Sequence, residues 1–107
     1  MPTADYSKRV GSILDAVEES EEIIPENGDL IREYRRDKEL NGMSQATQQR
    51  NLSYLKIVAE RVEETPFTDM GKDDLKDVIE WVHDRDDTKE ATVNTYKKAL
   101  RSFWKWM

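Results

Sequence analysis

The sequence predicts an all-α protein. Pro occurs only at positions 2, 25 and 66, and Gly only at 11, 28, 42 and 71, so the 107 residues divide into long segments without breakers. Apolar residues recur within those segments at helical spacing, and no run shows sustained strand-like alternation. The charged share (37%) exceeds the hydrophobic share (36%), as expected for a small helical protein with a charge-rich surface around a thin core.

Five helices are expected. The first runs from about Tyr6 to Glu22, with Val10, Ile13, Leu14 and Val17 as its apolar stripe. Its second half, Glu18-Glu19-Ser20-Glu21-Glu22, opposes the helix dipole and predicts fraying, so the segment reads as a mobile arm or a packing strut. Pro25-Glu26 opens the second helix, Leu30, Ile31, Tyr34 and Leu40 supply its apolar positions, and Asn41-Gly42 ends it with a left-handed cap. Its other face carries Arg32, Arg35, Arg36 and Lys38. Ser44 caps a third helix over Gln45–Val62, with Leu52, Leu55, Ala59 and Val62 facing the core. Thr65-Pro66 stops the chain from continuing, and Phe67 and Met70 plug the core from the loop. Leu75, Val78, Ile79 and Val82 face inward on a fourth helix over Lys72–Asp84, with Asp73 and Asp74 in its first turn. Thr88 is the expected N-cap of a fifth helix over Lys89–Met107, whose stripe is Val93, Tyr96, Leu100, Phe103 and Met107. The apolar ending Phe103-Trp104-Lys105-Trp106-Met107 reads as a domain cut from a longer protein, since such a segment needs a neighbour to cover it.

Composition excludes several classes. There is no cysteine, which removes disulfide scaffolds, thiolate sites and thiolate catalysis. No apolar run reaches the roughly 18–20 residues of a membrane span, and the N-terminus lacks a signal pattern. The expected setting is soluble and cytoplasmic. The net charge of -6 taken whole argues against a nucleic-acid partner and fits a salt-adapted surface.

The distribution of that charge reverses the first inference. Residues 1–30 carry net -6, residues 31–62 net +3, residues 63–90 net -7 and residues 91–107 net +4. No carboxylate lies between Leu40 and Ala59, and none follows Glu90. On the fifth helix Asn94, Lys98, Arg101 and Lys105 fall in one stripe at about 100° per residue, flanked by Thr92, Thr95 and Lys97. Gln45, Gln49, Ser53 and Lys56 form a comparable stripe on the third, with Thr47 and Arg50 nearby. These residue types bond phosphates and base edges, and a carboxylate among them would repel phosphate. A plain solvated face would explain one such helix; two in so acidic a chain point to DNA. The two helices also echo each other at an offset of 45 residues: Ala46-Thr47 and Leu55 align with Ala91-Thr92 and Leu100, and Val58 with Phe103.

The strings Leu40-Asn41-Gly42-Met43-Ser44-Gln45-Ala46-Thr47, with Tyr54-Leu55, and Ala91-Thr92-Val93-Asn94-Thr95-Tyr96-Lys97-Lys98-Ala99-Leu100-Arg101-Ser102-Phe103-Trp104-Lys105-Trp106 resemble the N-terminal core-binding domain of tyrosine recombinases, the phage integrase family. The resemblance covers roughly residues 24–107, is closest to haloarchaeal members, and leaves residues 1–23 as an acidic helical arm outside it. It implies a four-helix orthogonal SAM-like bundle that binds double-stranded DNA at a recombination site. The third and fifth helices would face the major groove, and a separate C-terminal catalytic domain and other recombinase protomers would be its partners. Strand cleavage would then lie outside this chain, and Tyr6, Tyr34, Tyr54 and Tyr96 are not assigned as nucleophiles.

No catalytic, metal or cofactor constellation is expected. His83 reads as a helix C-terminal residue favoured by the dipole. Asp84-Arg85-Asp86-Asp87 lacks the Gly and closing Glu of a calcium loop. Trp81, Trp104 and Trp106 lie beside apolar stripes and read as packing residues. The competing function is a helical protein–protein adaptor that docks a partner through residues 104–107 and the acidic fourth helix.

Overall fold

The structure is a computed structural model describing residues 6–85 and 89–107. The described residues form five α-helices and one 3-10 turn, with no strand, as an all-α SAM-like domain requires. The helices are α1 (Tyr6–Glu19), α2 (Pro25–Leu40), α3 (Gln45–Val62), α4 (Lys72–Asp84) and α5 (Glu90–Trp106); the 3-10 turn is Phe67–Asp69.

Local chemistry sets the boundaries. α1 stops at Glu19, three residues short of the expected Glu22. Four carboxylates crowd its end against the dipole, and the Glu22 N–H instead donates to Ser20 Oγ at 3.2 Å. α2 starts at Pro25 and ends in a Schellman motif. There the Met43 N–H donates to the Lys38 carbonyl (2.9 Å) and the Gly42 N–H to that of Glu39 (3.0 Å), with Gly42 at φ 86°. Ser44 caps α3 by accepting from the Thr47 N–H at 3.2 Å. Asp74 reaches back to the Gly71 N–H (2.9 Å) at the start of α4. The N-cap position of α5 is Lys89, and Thr88, expected there, lies outside the described residues.

The main core draws on all five helices, and a smaller cluster joins Val82 of α4 to Val93 and Tyr96 of α5. Ile31 and Tyr34 of α2, Leu52, Leu55, Val58 and Ala59 of α3, Val78 of α4, and Leu100 and Phe103 of α5 are buried together. Phe67 and Met70 plug it as the sequence predicts. Val10 and Val17 of α1 belong to the same cluster, and α1 packs more extensively on α3 than any other pair of helices does. Of the two readings of this segment, the strut describes its packing. The 45-residue echo is structural as well: Leu55 matches Leu100, and Val58 matches Phe103, as buried pairs.

Two expected core positions are corrected. Leu40 is 78% exposed, because six residues beyond Tyr34 place it about 240° around the helix, away from the buried Asn27-Ile31-Tyr34 face. Met107 is 39% exposed, since α5 ends at Trp106, and Ala99, absent from the expected stripe, is buried.

Candidate nucleic-acid interface

The amphipathic pattern of α5 fixes its outward ridge. Tyr96, Ala99 and Phe103 are buried, so Asn94, Lys98, Arg101 and Lys105 on the opposite side all lie exposed. Lys97 is exposed on the α4 flank. Among the described residues none of these four cations forms an ion pair, whereas Arg32 pairs with Asp29, Arg35 with Glu39 and Lys56 with Glu60. On the α4 side the Glu80 carboxylate lines the same groove as Lys97, Arg101 and Lys105 without pairing with any of them.

α5 forms the wall of two grooves. Towards α2, Lys98, Arg101, Ser102, Lys105 and Trp106 face Lys38 across a groove of about 570 Å³. Lys38 Nζ sits over the Tyr34 ring, 5.6 Å from its centroid, a cation–π contact that fixes where its charge lies. Trp106 Nε1 donates to the exposed Asp37 carboxylate at 2.9 Å and Tyr34 shares a hydrogen bond with Ser102 at 3.0 Å, so two side-chain bonds tie α2 to α5. Towards α4, Leu75, Ile79, Val93, Leu100 and Trp104 line a more apolar groove of about 680 Å³, with Arg101 and Lys105 shared between the two.

The stripe expected on α3 is divided. Gln45 and Arg50 are exposed, but Gln49 and Ser53 are half-buried beside α1, in a groove with Lys8, Arg9, Ser12 and Ile13. Lys56 is neutralised by Glu60. Three threonine and serine hydroxyls differ in what they can offer a phosphate. Ser53 donates to the Gln49 carbonyl and Thr95 to that of Ala91, each at 2.9 Å, so both donors are spent. Thr47 accepts from Ser44 Oγ at 2.9 Å and keeps its own proton. Thr92 is half-buried at the start of α5. The ridges of α3 and α5 thus open onto different grooves, while the two helices meet through the stacked rings of Tyr54 and Tyr96, 3.8 Å between centroids.

Lys38 is the residue the sequence pattern missed. The pattern sought helices free of carboxylates, and α2 carries Glu33, Asp37 and Glu39 among its cations. Only the fold shows which of its charges are already paired.

No alternative chemistry emerges among the described residues. No group of three metal-binding side chains converges. His83 is exposed, 3.4 Å from the Asp84 carboxylate, while Asp86 and Asp87 of the rejected calcium run lie outside the described residues. Burial pushes the Tyr96 phenol up from its ordinary value, against the opposing pull of Arg85, the reverse of what an activated nucleophile needs. Trp104 and Trp106 pack on the core edge, and the guanidinium groups of Arg61 (5.4 Å) and Arg85 (5.0 Å) lie over the Trp81 ring. No described helix is long and apolar enough to cross a membrane.

Residues 30–107, well over half of the chain, match the family model of the phage integrase N-terminal SAM-like domain. The chain belongs to that family. The integrase-domain match takes in α2 from Leu30 through the end of α5, and so contains both flanks of the Lys38–Lys105 groove. α1 lies outside it. No curated protein and no solved structure matches the chain. A DNA-binding role related to that of tyrosine recombinases goes with the family.

Proposed function

We propose that this integrase-family domain is the core-binding domain of a site-specific tyrosine recombinase. It would hold one side of a recombination site while a separate catalytic domain cleaves and rejoins the strands. The observation that carries the reading is the α5 ridge: Lys98, Arg101 and Lys105, exposed, without ion pairs among the described residues, and joined by Lys38 across the groove. Phosphate contacts by these cations supply most of the affinity. Asn94 on the same ridge and Gln45 and Arg50 at the start of α3 are the side chains suited to base edges, and sequence selectivity rests on them. The excess of surface carboxylate elsewhere fits a salt-adapted, haloarchaeal source.

Lys98→Glu with Arg101→Glu tests this. Both positions are exposed, so the fold should persist by circular dichroism while affinity for duplex DNA at low salt drops at least about tenfold. Wild-type affinity in the double variant would sink the proposal.

A second reading has its own support. The α4–α5 groove has an apolar floor, and Trp104, which lines it, buries its indole N–H without an acceptor among the described residues. A partner segment in that groove would make the domain an adaptor. Salt-insensitive protein binding together with no affinity for DNA would favour it over the first reading.

A further inference from the structure

We propose that α1, which lies outside the family match, is a third DNA-contacting element, with Lys8, Arg9 and Ser12 gripping backbone phosphates beside Gln49 and Ser53 of α3. This rests on the DNA-binding reading above. Three observations converge on it. The first is placement: buried Val10 and Val17 fix the roll of α1 against the core, so Lys8, Arg9 and Ser12 are exposed along a groove of about 590 Å³ whose other wall is α3. The second is charge. Residues 1–30 contain eight carboxylates, yet none lies between Asp5 and Asp15, the stretch that holds both cations. The third is composition of the facing wall: α3 offers only Gln49 and Ser53 there, neutral groups that leave a phosphate unrepelled.

The α3 ridge gains a purpose from this arrangement. Gln49 and Ser53 point away from the α5 groove, and Ser53 has already given its proton to a backbone carbonyl. Alone they are poor phosphate ligands. Beside Lys8 and Arg9 they become the polar wall of a cationic groove, with the Gln49 amide as a donor. Both cations also take part in interactions within the protein. The exposed Asp15, Glu18 and Glu19 set the limit of the contact, because phosphates would be repelled beyond the first turns of α1. The ligand is the phosphate backbone of the same duplex bound by α5, and α1 adds affinity and footprint without reading sequence.

Fluorescence anisotropy with a mixed-sequence duplex of three helical turns, over a series of KCl concentrations, tests the proposal. K8Q/R9Q should weaken binding at least about tenfold and lower the salt slope. R36Q/K72Q removes two exposed cations that line none of the grooves described above and changes the net charge equally, so its smaller loss isolates position from charge. K98Q/R101Q reports on the DNA-binding reading itself. If K98Q/R101Q loses binding while K8Q/R9Q behaves like R36Q/K72Q, the role of α1 is overturned and the reading stands. If none of the three pairs differs from wild type, both fall. Should K8Q/R9Q fail to fold, Ser12→Asp, which sets a carboxylate in the groove, must weaken binding for the proposal to survive.

Discussion

Asn27 is wholly buried, yet every polar atom of its amide is used across a gap of about forty residues. Its Nδ2 donates to the Thr65 carbonyl at 3.0 Å and its Oδ1 accepts from the Phe67 N–H at 2.8 Å. These two bonds hold the loop that places Phe67 in the core. Asn27→Ala would leave the buried Phe67 N–H without its acceptor and release the part-buried Thr65 carbonyl, at a cost of about 1–3 kcal/mol, measurable by urea denaturation. A loss below ~0.5 kcal/mol would show that the loop holds itself. No local pattern reveals such a residue: in the sequence Asn27 is an unremarked position in the first turn of α2, and its partners lie beyond the whole of α3. Lys38 was hidden for a related reason, since its role depends on which neighbouring charges are paired in space.

At the scale of elements, local chemistry was legible and tertiary orientation was not. Periodicity places all five helices, and the breakers and caps place most ends within a residue or two. The Asn41-Gly42 cap is an example. Its Gly42 stands at φ 86°, a conformation that a Cβ disfavours, although open space surrounds the position. Gly42→Ala should therefore cost about 1 kcal/mol and lower Tm by roughly 4–8 °C, with Gly42→Asn costing less; equal melting of all three proteins would refute the strain. The outward ridge of α5 was equally readable, because a clean apolar stripe fixes its opposite. The α3 stripe was not. α3 is flanked by α1 on one side and α5 on the other, so its Gln49-Ser53 face became the wall of a groove with a helix the family pattern does not include. Leu40 shows the same limit: its apolar character counted towards the core, but its angle around α2 turns it to solvent.

Across the whole molecule, net charge and function run in opposite directions. The carboxylates are densest in residues 1–30 and 63–90, and the ridge of cations that follows the last carboxylate, Glu90, lies on α5. Added salt screens repulsion among the former and weakens phosphate binding by the latter. Raising KCl should thus raise the melting temperature and, over the same range, lower DNA affinity. A melting temperature that falls with KCl would contradict the acidic-shell account, and a salt-independent Kd would contradict the cationic ridge.

The tryptophans divide into two optical populations. Trp104 and Trp106 flank Lys105 and line the grooves on either side of the α5 ridge, Trp106 tethered to Asp37, while the guanidinium groups of Arg61 and Arg85 lie over the Trp81 ring. Emission from the first pair is coupled to whatever settles on the ridge, and emission from the third to the packing of α3 and α4. The unlabelled protein therefore carries its own reporter: a duplex that binds through α5 changes the fluorescence of Trp104 and Trp106, and Trp81→Phe leaves that change intact.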